Sequence, residues 1–376
     1  MRYVDEFRDS GLARDLAERI RREATRSLCF MEVCGTHTMA IARCGIKGLL
    51  PENLRLISGP GCPVCVTSQA QIDQFIGLGK SPNTILATFG DMIRVPGAHS
   101  NLEAERARGA DVRVVYSPLD ALAVARENPD KRVVFFGVGF ETTAPAVALA
   151  VLEARKADLA NFCVLCAHKL IPPAMAALAS DPEIAINGFI CPGHVSAIIG
   201  SAAYEPIARG CSIPCVIAGF EPLDILQSLL MLARQAVAGR SEVEVQYSRA
   251  VSREGNPAAM QCVQSIFEPA DAEWRGLGTI PGSGLRFRPE FAAFDASQFL
   301  AKDSAAPSED TACECGLILK GLKSPTGCSA FGTACTPDHP LGPCMVSSEG
   351  ACAAEYKYSS GGIQGSRDPG NSYSYS

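Results

Sequence analysis

RVVFFGVGFETTAPAVALAVLEARKADLANFCVLCAHK, residues 132–169, decides the fold class. A continuous apolar run, Arg132–Val138, gives way to a helix-period stretch over Thr143–Lys156, and a second apolar run follows at Phe162–Ala167. Strands that are apolar on both faces and alternate with helices belong to parallel sheets covered on either side. The alternation continues outward in both directions. Strand candidates Leu54–Ile57, Thr84–Phe89 and Val112–Tyr116 precede it, and Ile186–Cys191 and Cys215–Ala218 follow. Between them Ala70–Leu78, Leu119–Asn128, Pro173–Ala179, Val195–Ala208 and Leu223–Ala238 repeat apolar residues at helical spacing. The strand-to-helix junctions GFETT (139–143) and GFEPL (219–223) are alike, each with a carboxylate where a helix begins, which suits the positive end of a helix dipole. They hint at two related α/β units.

Outside this middle region the pattern changes. Residues 9–25 carry Leu12, Leu16 and Ile20 on one face and predict an amphipathic helix. Cys29–Thr67 is rich in Cys and Gly and reads as loops that carry chemistry. Beyond Gly239 the alternation stops, and residues 240–300 mix polar strand-like and loop sequence around the single tryptophan, Trp274. Asp303–Asp310 reads as a linker into the cysteine-rich segment Cys313–Cys352, and Ser359–Ser376 as a disordered tail. The expected fold class is α/β, with two related parallel-sheet domains plus a Cys-rich iron–sulfur domain. The expected divisions are 1–130 (N-terminal helix, Cys loops and first α/β domain), 131–240 (second α/β domain), 241–358 (C-terminal iron–sulfur domain) and 359–376 (tail).

Composition removes several function classes. The chain has 376 residues, 47% hydrophobic and 20% charged, which is globular usage. With 34 basic against 40 acidic residues it lacks the basic excess that phosphate neutralisation requires, so no nucleic acid is expected as a partner. The longest apolar candidates, Val133–Leu152 and Cys215–Ala233, are cut by Glu141, Pro145, Glu221, Pro222 and Asp224, so no membrane span is expected. The N-terminal residues lack the apolar core of a secretory signal, which places the protein in the cytoplasm. In that reducing compartment 17 cysteines are not structural disulfides, and some are ligands or redox groups.

Two cysteine groups stand out. Cys313, Cys315, Cys328, Cys335, Cys344 and Cys352 lie among Gly and Pro and offer the soft donors of an iron–sulfur cluster or of zinc. The steps of 15, 7 and 17 residues from Cys313 through Cys328 and Cys335 to Cys352 match neither a zinc ribbon nor a bacterial ferredoxin run. A cluster is therefore preferred over structural zinc. The second group is Cys34-Gly35-Thr36-His37-Thr38 with Gly59-Pro60-Gly61-Cys62-Pro63-Val64-Cys65. Two thiols at CxxC spacing can close a disulfide or share a metal, and His37 serves as ligand, proton donor or merely a hydrogen-bonded loop histidine. Cys163 and Cys166 repeat the spacing inside an apolar strand, where alternation points them to opposite faces, so they read as core thiols. His168, Lys169, His194, Asp91 and Arg94 follow strands, where open α/β sheets place polar clefts. No dinucleotide fingerprint, P-loop or radical-cluster CxxxCxxC is present in the sequence.

MEVCGTHTMAI (31–41), GPGCPVCVT (59–67), TFGDMIRVPG (88–97), GFETTAP (139–145), HKLIPPAM (168–175), GFICPGHVSAIIG (188–200), VIAGFEPLDIL (216–226), WRGLGTIP (274–281) and FGTACTPDHPLGPCMVSSEGACAAEYKY (331–358) together resemble the HypD family of hydrogenase maturation proteins. The resemblance covers the chain almost to its tail. It implies a scaffold, rather than a conventional enzyme, on which the Fe(CN)2(CO) centre of [NiFe] hydrogenase is built. The implied partners are the small chaperone HypC and the cyanide donor HypE, with HypF upstream. The iron carrying CN and CO would be bound transiently. Carried over, Cys34 would give a thiolate to the iron with His37 beside it, and Cys62 and Cys65 would be the redox-active, metal-adjacent pair. Cys328, Cys335, Cys352 and either Cys313 or Cys315 would hold a [4Fe-4S] cluster in a manner like ferredoxin:thioredoxin reductase. The alternative reading is a disulfide reductase of that type, and a third is a zinc-bearing interaction module.

Overall fold

The computed structural model describes residues 5–300 and 312–358, so the expected linker Asp303–Asp310 and tail Ser359–Ser376 lie outside the described residues. In chain order the strands are β1 (Leu28–Glu32), β2 (Leu54–Ser58), β3 (Thr84–Thr88), β4 (Asp111–Val114), β5 (Arg132–Gly137), β6 (Phe162–Cys166), β7 (Gly188–Pro192), β8 (Cys215–Ala218), β9 (Val243–Val245), β10 (Phe267–Trp274) and β11 (Gly278–Phe287). One sheet runs β2-β1-β7-β8-β9 and a second β4-β3-β5-β6, with every pairing in both parallel. β10 and β11 form a separate antiparallel hairpin. The fold class is α/β, as expected.

Strand alternation sorts the core into three layers. The outer face of the first sheet, with Phe30, Leu56, Ile190 and Val216, packs on the helices Ser10–Glu23, Gly35–Arg43 and Pro222–Val237. The outer face of the second sheet, with Ile85, Val133, Phe135 and Val164, packs on Pro118–Glu127 and Ala144–Lys156. The inner faces share one central core, in which Met31, Phe189 and Ile217 of the first sheet meet Leu86, Phe136 and Leu165 of the second. The helices Gln69–Leu78 and Ile171–Ser180 fill the space between, where Phe75 stacks on Phe136 at 4.3 Å. The cysteine-rich segment adds Cys315, Ile318, Cys335, Cys344 and Cys352 to the same core. Burying both sheet faces is what the continuous apolar strands demanded.

The division at residue 130/131 is not where the sheets divide. β5 hydrogen-bonds β3 across that boundary, and β7 and β8 return to join β1. The second sheet is therefore a single stretch of chain inserted between two parts of the first. Local periodicity marks a parallel strand but not which distant strand it will join, because the pairing is made across a crossover. A second correction concerns Cys29–Thr67. It contains β1, the strand between β2 and β7, and the helices Gly35–Arg43 and Pro63–Val66 as well as loops. The expected helix Val195–Ala208 is broken at Gly200, whose φ of +80 a side chain would oppose. Cys163 faces the central core and Cys166 the opposite side, where its Sγ lies 3.3 Å from the Leu285 carbonyl. Among the described residues no helix is long and apolar enough to cross a membrane.

Candidate functional site

β1 and β2 are parallel neighbours, so the loops that leave their carboxyl ends emerge side by side. The first carries Cys34 and the second GPGCPVC. Gly59 N–H donates to the Glu32 carbonyl (2.7 Å) and Gly35 N–H to the Gly61 carbonyl (2.8 Å), which ties the two loops together. A Cβ on Gly61 would lie 2.0 Å from the Cys34 nitrogen, so only glycine allows this approach. Cys34 precedes the first turn of Gly35–Arg43, and its N–H donates to Glu32 Oε2 at 3.0 Å. The other oxygen of Glu32 accepts from Thr38 Oγ1 at 2.5 Å, and burial holds this carboxyl up at about 7. Burial likewise pushes the Cys34 thiol up to about 12, helped by the Glu32 and Glu349 carboxylates and opposed by the backbone N–H groups of His37 and Thr36. At neutral pH Cys34 is a thiol that ionises only when a cation takes the place of its proton.

His37 is fully buried. Its Nε2 lies 2.9 Å from the Gly219 carbonyl, an acceptor only, so Nε2 carries the hydrogen and Nδ1 is left without a partner. Burial lowers the imidazole to about 4, which keeps it neutral. It stacks on Phe220, which stacks in turn on His194.

The GPGCPVC loop starts a series of sulfur contacts. Cys62 Sγ accepts from Cys65 N–H (3.3 Å) and lies 3.3 Å from Ser347 Oγ. The Cys65 thiol, raised first by burial, meets the sulfurs of Cys62 and Cys344. Cys344 in turn meets Cys315 as well as Cys65. Cys315 meets Cys313, whose hydrogen bond pulls it down while Cys344 and burial push it up to about 12. The Cys352 thiol is raised first by burial and further by the nearby Cys313, Cys315, Cys335 and Cys328. The sulfurs of the two groups thus lie in one unbroken series, Cys62, Cys65, Cys344, Cys315, Cys313. Among the described residues no group of three or more His, Cys, Asp or Glu side chains is arranged to hold a metal ion.

The same segment closes over Cys34. Glu349 Oε1 accepts from Thr36 Oγ1 at 2.8 Å, and a Cβ on Gly35 would strike the Glu349 side chain. Arg94 anchors the segment to the second sheet by donating to the carbonyls of Pro337 (3.1 Å) and Asp338 (3.2 Å). His168 and Lys169 belong elsewhere. Both are buried, with Lys169 Nζ donating to Gln71 Oε1 at 2.9 Å, and they do not join the sulfur series. Glu141 does not start its own helix but accepts from Ile171 N–H at 2.9 Å, whereas Glu221 caps the helix Pro222–Val237 that follows it. Sequence reasoning did not single out Cys344 from its group or give roles to Glu32, Glu349 and Ser347. Cys344 and Ser347 were legible only as polar or thiol residues in a Gly- and Pro-rich segment without periodicity.

The chain is 54% identical over 368 residues to a hydrogenase maturation factor HypD of Azotobacter vinelandii, covering 95% of this chain and 97% of that one. It is 50% identical over 368 residues to HypD2 of Bradyrhizobium diazoefficiens, covering 95% and 97%. With HypD of Escherichia coli K12 the identity is 45% over 366 residues, covering 95% and 98%. The profile described as HypD, Hydrogenase formation hypA family, matches residues 11–359, and the chain belongs to that family of hydrogenase maturation factors.

Proposed function

We propose that this chain is a scaffold on which the Fe(CN)2(CO) centre of a [NiFe] hydrogenase is assembled. Iron is the cargo. The observation that carries the reading is the unbroken sulfur series that begins one loop away from Cys34. Cys34 gives one thiolate to the iron, and a small partner chaperone of the HypC kind gives another. Sharing the ligands lets the finished centre leave with the partner. HypE, loaded through HypF, is the cyanide donor in this scheme, and the work takes place in the reducing cytoplasm. Binding iron releases the Cys34 proton, which burial otherwise keeps in place. His37 stays neutral and keeps a free lone pair on Nδ1 close to the helix start.

Cys62 and Cys65 act as a dithiol. Closing their disulfide releases two electrons and two protons. Exchange with a Cys344–Cys315 disulfide, through the Cys65 to Cys344 contact, moves both along the series and leaves Cys344 and Cys315 as thiols. Cys313, Cys328, Cys335 and Cys352 then fit a [4Fe-4S] cluster. Cys335 and Cys352 each lie within electrostatic reach of Cys313 and Cys328, and Cys315 is already engaged by Cys344. When bound, such a cluster would exchange electrons one at a time with the Cys344 and Cys315 pair, so that two such transfers interconvert its thiols and disulfide. Each thiolate of a four-iron cluster holds a different iron, so its ligands need not converge on one point.

The sulfur series would serve a disulfide reductase equally well, and infrared spectroscopy separates the readings. The chain purified with its small partner is expected to show cyanide and carbonyl stretches that Cys34→Ala abolishes. An active preparation without those bands, in which only a protein disulfide is reduced, would establish the reductase.

A further inference from the structure

The tip of the hairpin β10–β11 enters the sulfur series. Trp274 makes an antiparallel bridge to Thr67, and Arg275 N–H donates to the Val66 carbonyl at 2.9 Å. Arg275 Nε donates to the Thr67 carbonyl at 3.0 Å, so the arginine is tied to the two residues that follow Cys65. Its side chain also lines a cavity of about 320 Å³ with Cys313, Cys315 and Lys320. The residue is 6% exposed, and its Nη2 is buried without a hydrogen-bond partner. Gly276 presses on Gly316, where a Cβ would lie 2.2 Å from the facing Cα, and this seats the turn that carries Arg275 against the residue that follows Cys315.

An unpaired buried cation is costly, and a buried N–H without an acceptor adds to the cost. No carboxylate among the described residues pairs with Arg275, whereas Lys320 and Lys323 answer Asp181 and Glu314. Arg275 favours negative charge at both Cys313 and Cys315. We propose that Arg275 is a positioning residue of the sulfur group, whose unpartnered Nη2 is available to a sulfur of the bound cluster and whose charge makes that cluster easier to reduce. The proposal rests on the cluster reading above. A cluster that accepts one electron gains one negative charge, and fixed positive charge with N–H···S bonds stabilises that form. An arginine that only clamped the hairpin to Thr67 would leave the reduction potential unchanged.

The test uses the full chain after iron and sulfide reconstitution. Cluster content is read by iron and acid-labile sulfide, and potential by dithionite titration followed by paramagnetic resonance. Arg275→Gln is expected to keep the cluster but show a reduced-to-oxidised ratio about tenfold lower at the poise that half-reduces the wild type, as loss of a hydrogen bond to a charged group implies. Arg275→Lys recovers most of the difference. Equal potentials in Arg275→Gln and wild type overturn the proposal. If Arg275→Gln cannot hold the cluster, Arg275→Lys decides: a retained cluster near the wild-type potential supports the charge, and equal loss shows a clamp and overturns it. A wild-type chain that takes up no iron and sulfide overturns the cluster reading itself and this inference with it.

Discussion

Cys34 and Cys62 show how local surroundings set what a thiol can do. Cys34 is buried beside two carboxylates and keeps its proton, whereas Cys62 accepts a backbone N–H and touches a serine hydroxyl. On the scaffold reading proposed above, replacing Cys34 by Ala removes an iron ligand and leaves every cysteine of the C-terminal segment in place. Iron and sulfide should therefore remain while cyanide and carbonyl bands vanish, and retained bands would remove Cys34 from the iron. Glu141 gives a second test, through pH. Burial raises its carboxyl from an ordinary 4.5 to about 7, and Oε2 has no partner. Between those values the folded chain holds a proton that the unfolded chain has lost. Its contribution is full below about 4.5 and is lost as pH rises through about 7. Glu141→Gln keeps an oxygen for the Ile171 N–H and does not titrate. Relative to wild type it should gain stability from about pH 5 to about pH 8, on the order of 2 kcal/mol, measured by denaturant unfolding. A difference that stays flat over that range would contradict the assignment.

At the scale of elements, Arg94 and β6 make contrasting predictions. Arg94 holds the Pro337–Asp338 turn by two hydrogen bonds to carbonyls, each worth about 1 kcal/mol. Arg94→Ala should loosen the segment and, on the proposed cluster reading, speed loss of reconstituted iron to a chelator, while the far-ultraviolet spectrum is unchanged. Cys163 lies inside β6 away from the sulfur series, so Cys163→Ala should be mild in maturation; complete loss from a folded chain would give that thiol a role. Such elements were legible where one force dominates. Phe162–Ala167 is apolar throughout, and its strand followed from that alone. β1 was missed because LCFME is short and carries Cys29 and Glu32, and its burial comes from β2 and β7 on either side. The CxxC at Cys62 was visible as chemistry because the loop has no periodicity. Arg275 gave no such signal, because a single arginine in a turn gains its meaning only from the sulfurs that the fold brings to it.

At the scale of the whole molecule, the inserted second sheet makes the chain hard to divide. A fragment of residues 1–130 lacks β5, one of the two neighbours of β3, and β7, one of the two neighbours of β1. It should fail to give cooperative unfolding or dispersed amide resonances, and a fragment that folded on its own would show that the sheets are independent. The sequence made most of the parallel strands visible but not this return path, since β7, the second neighbour of β1, arrives about 160 residues later, at Gly188. The closure of Glu349 over Gly35 and of Ser347 beside Cys62 also comes from the far end of the polypeptide. A ribosome must therefore translate past Glu349 before the pocket around Cys34 is finished. Prematurely terminated copies would lack the residues that shut it and would be poor competitors for scarce metal.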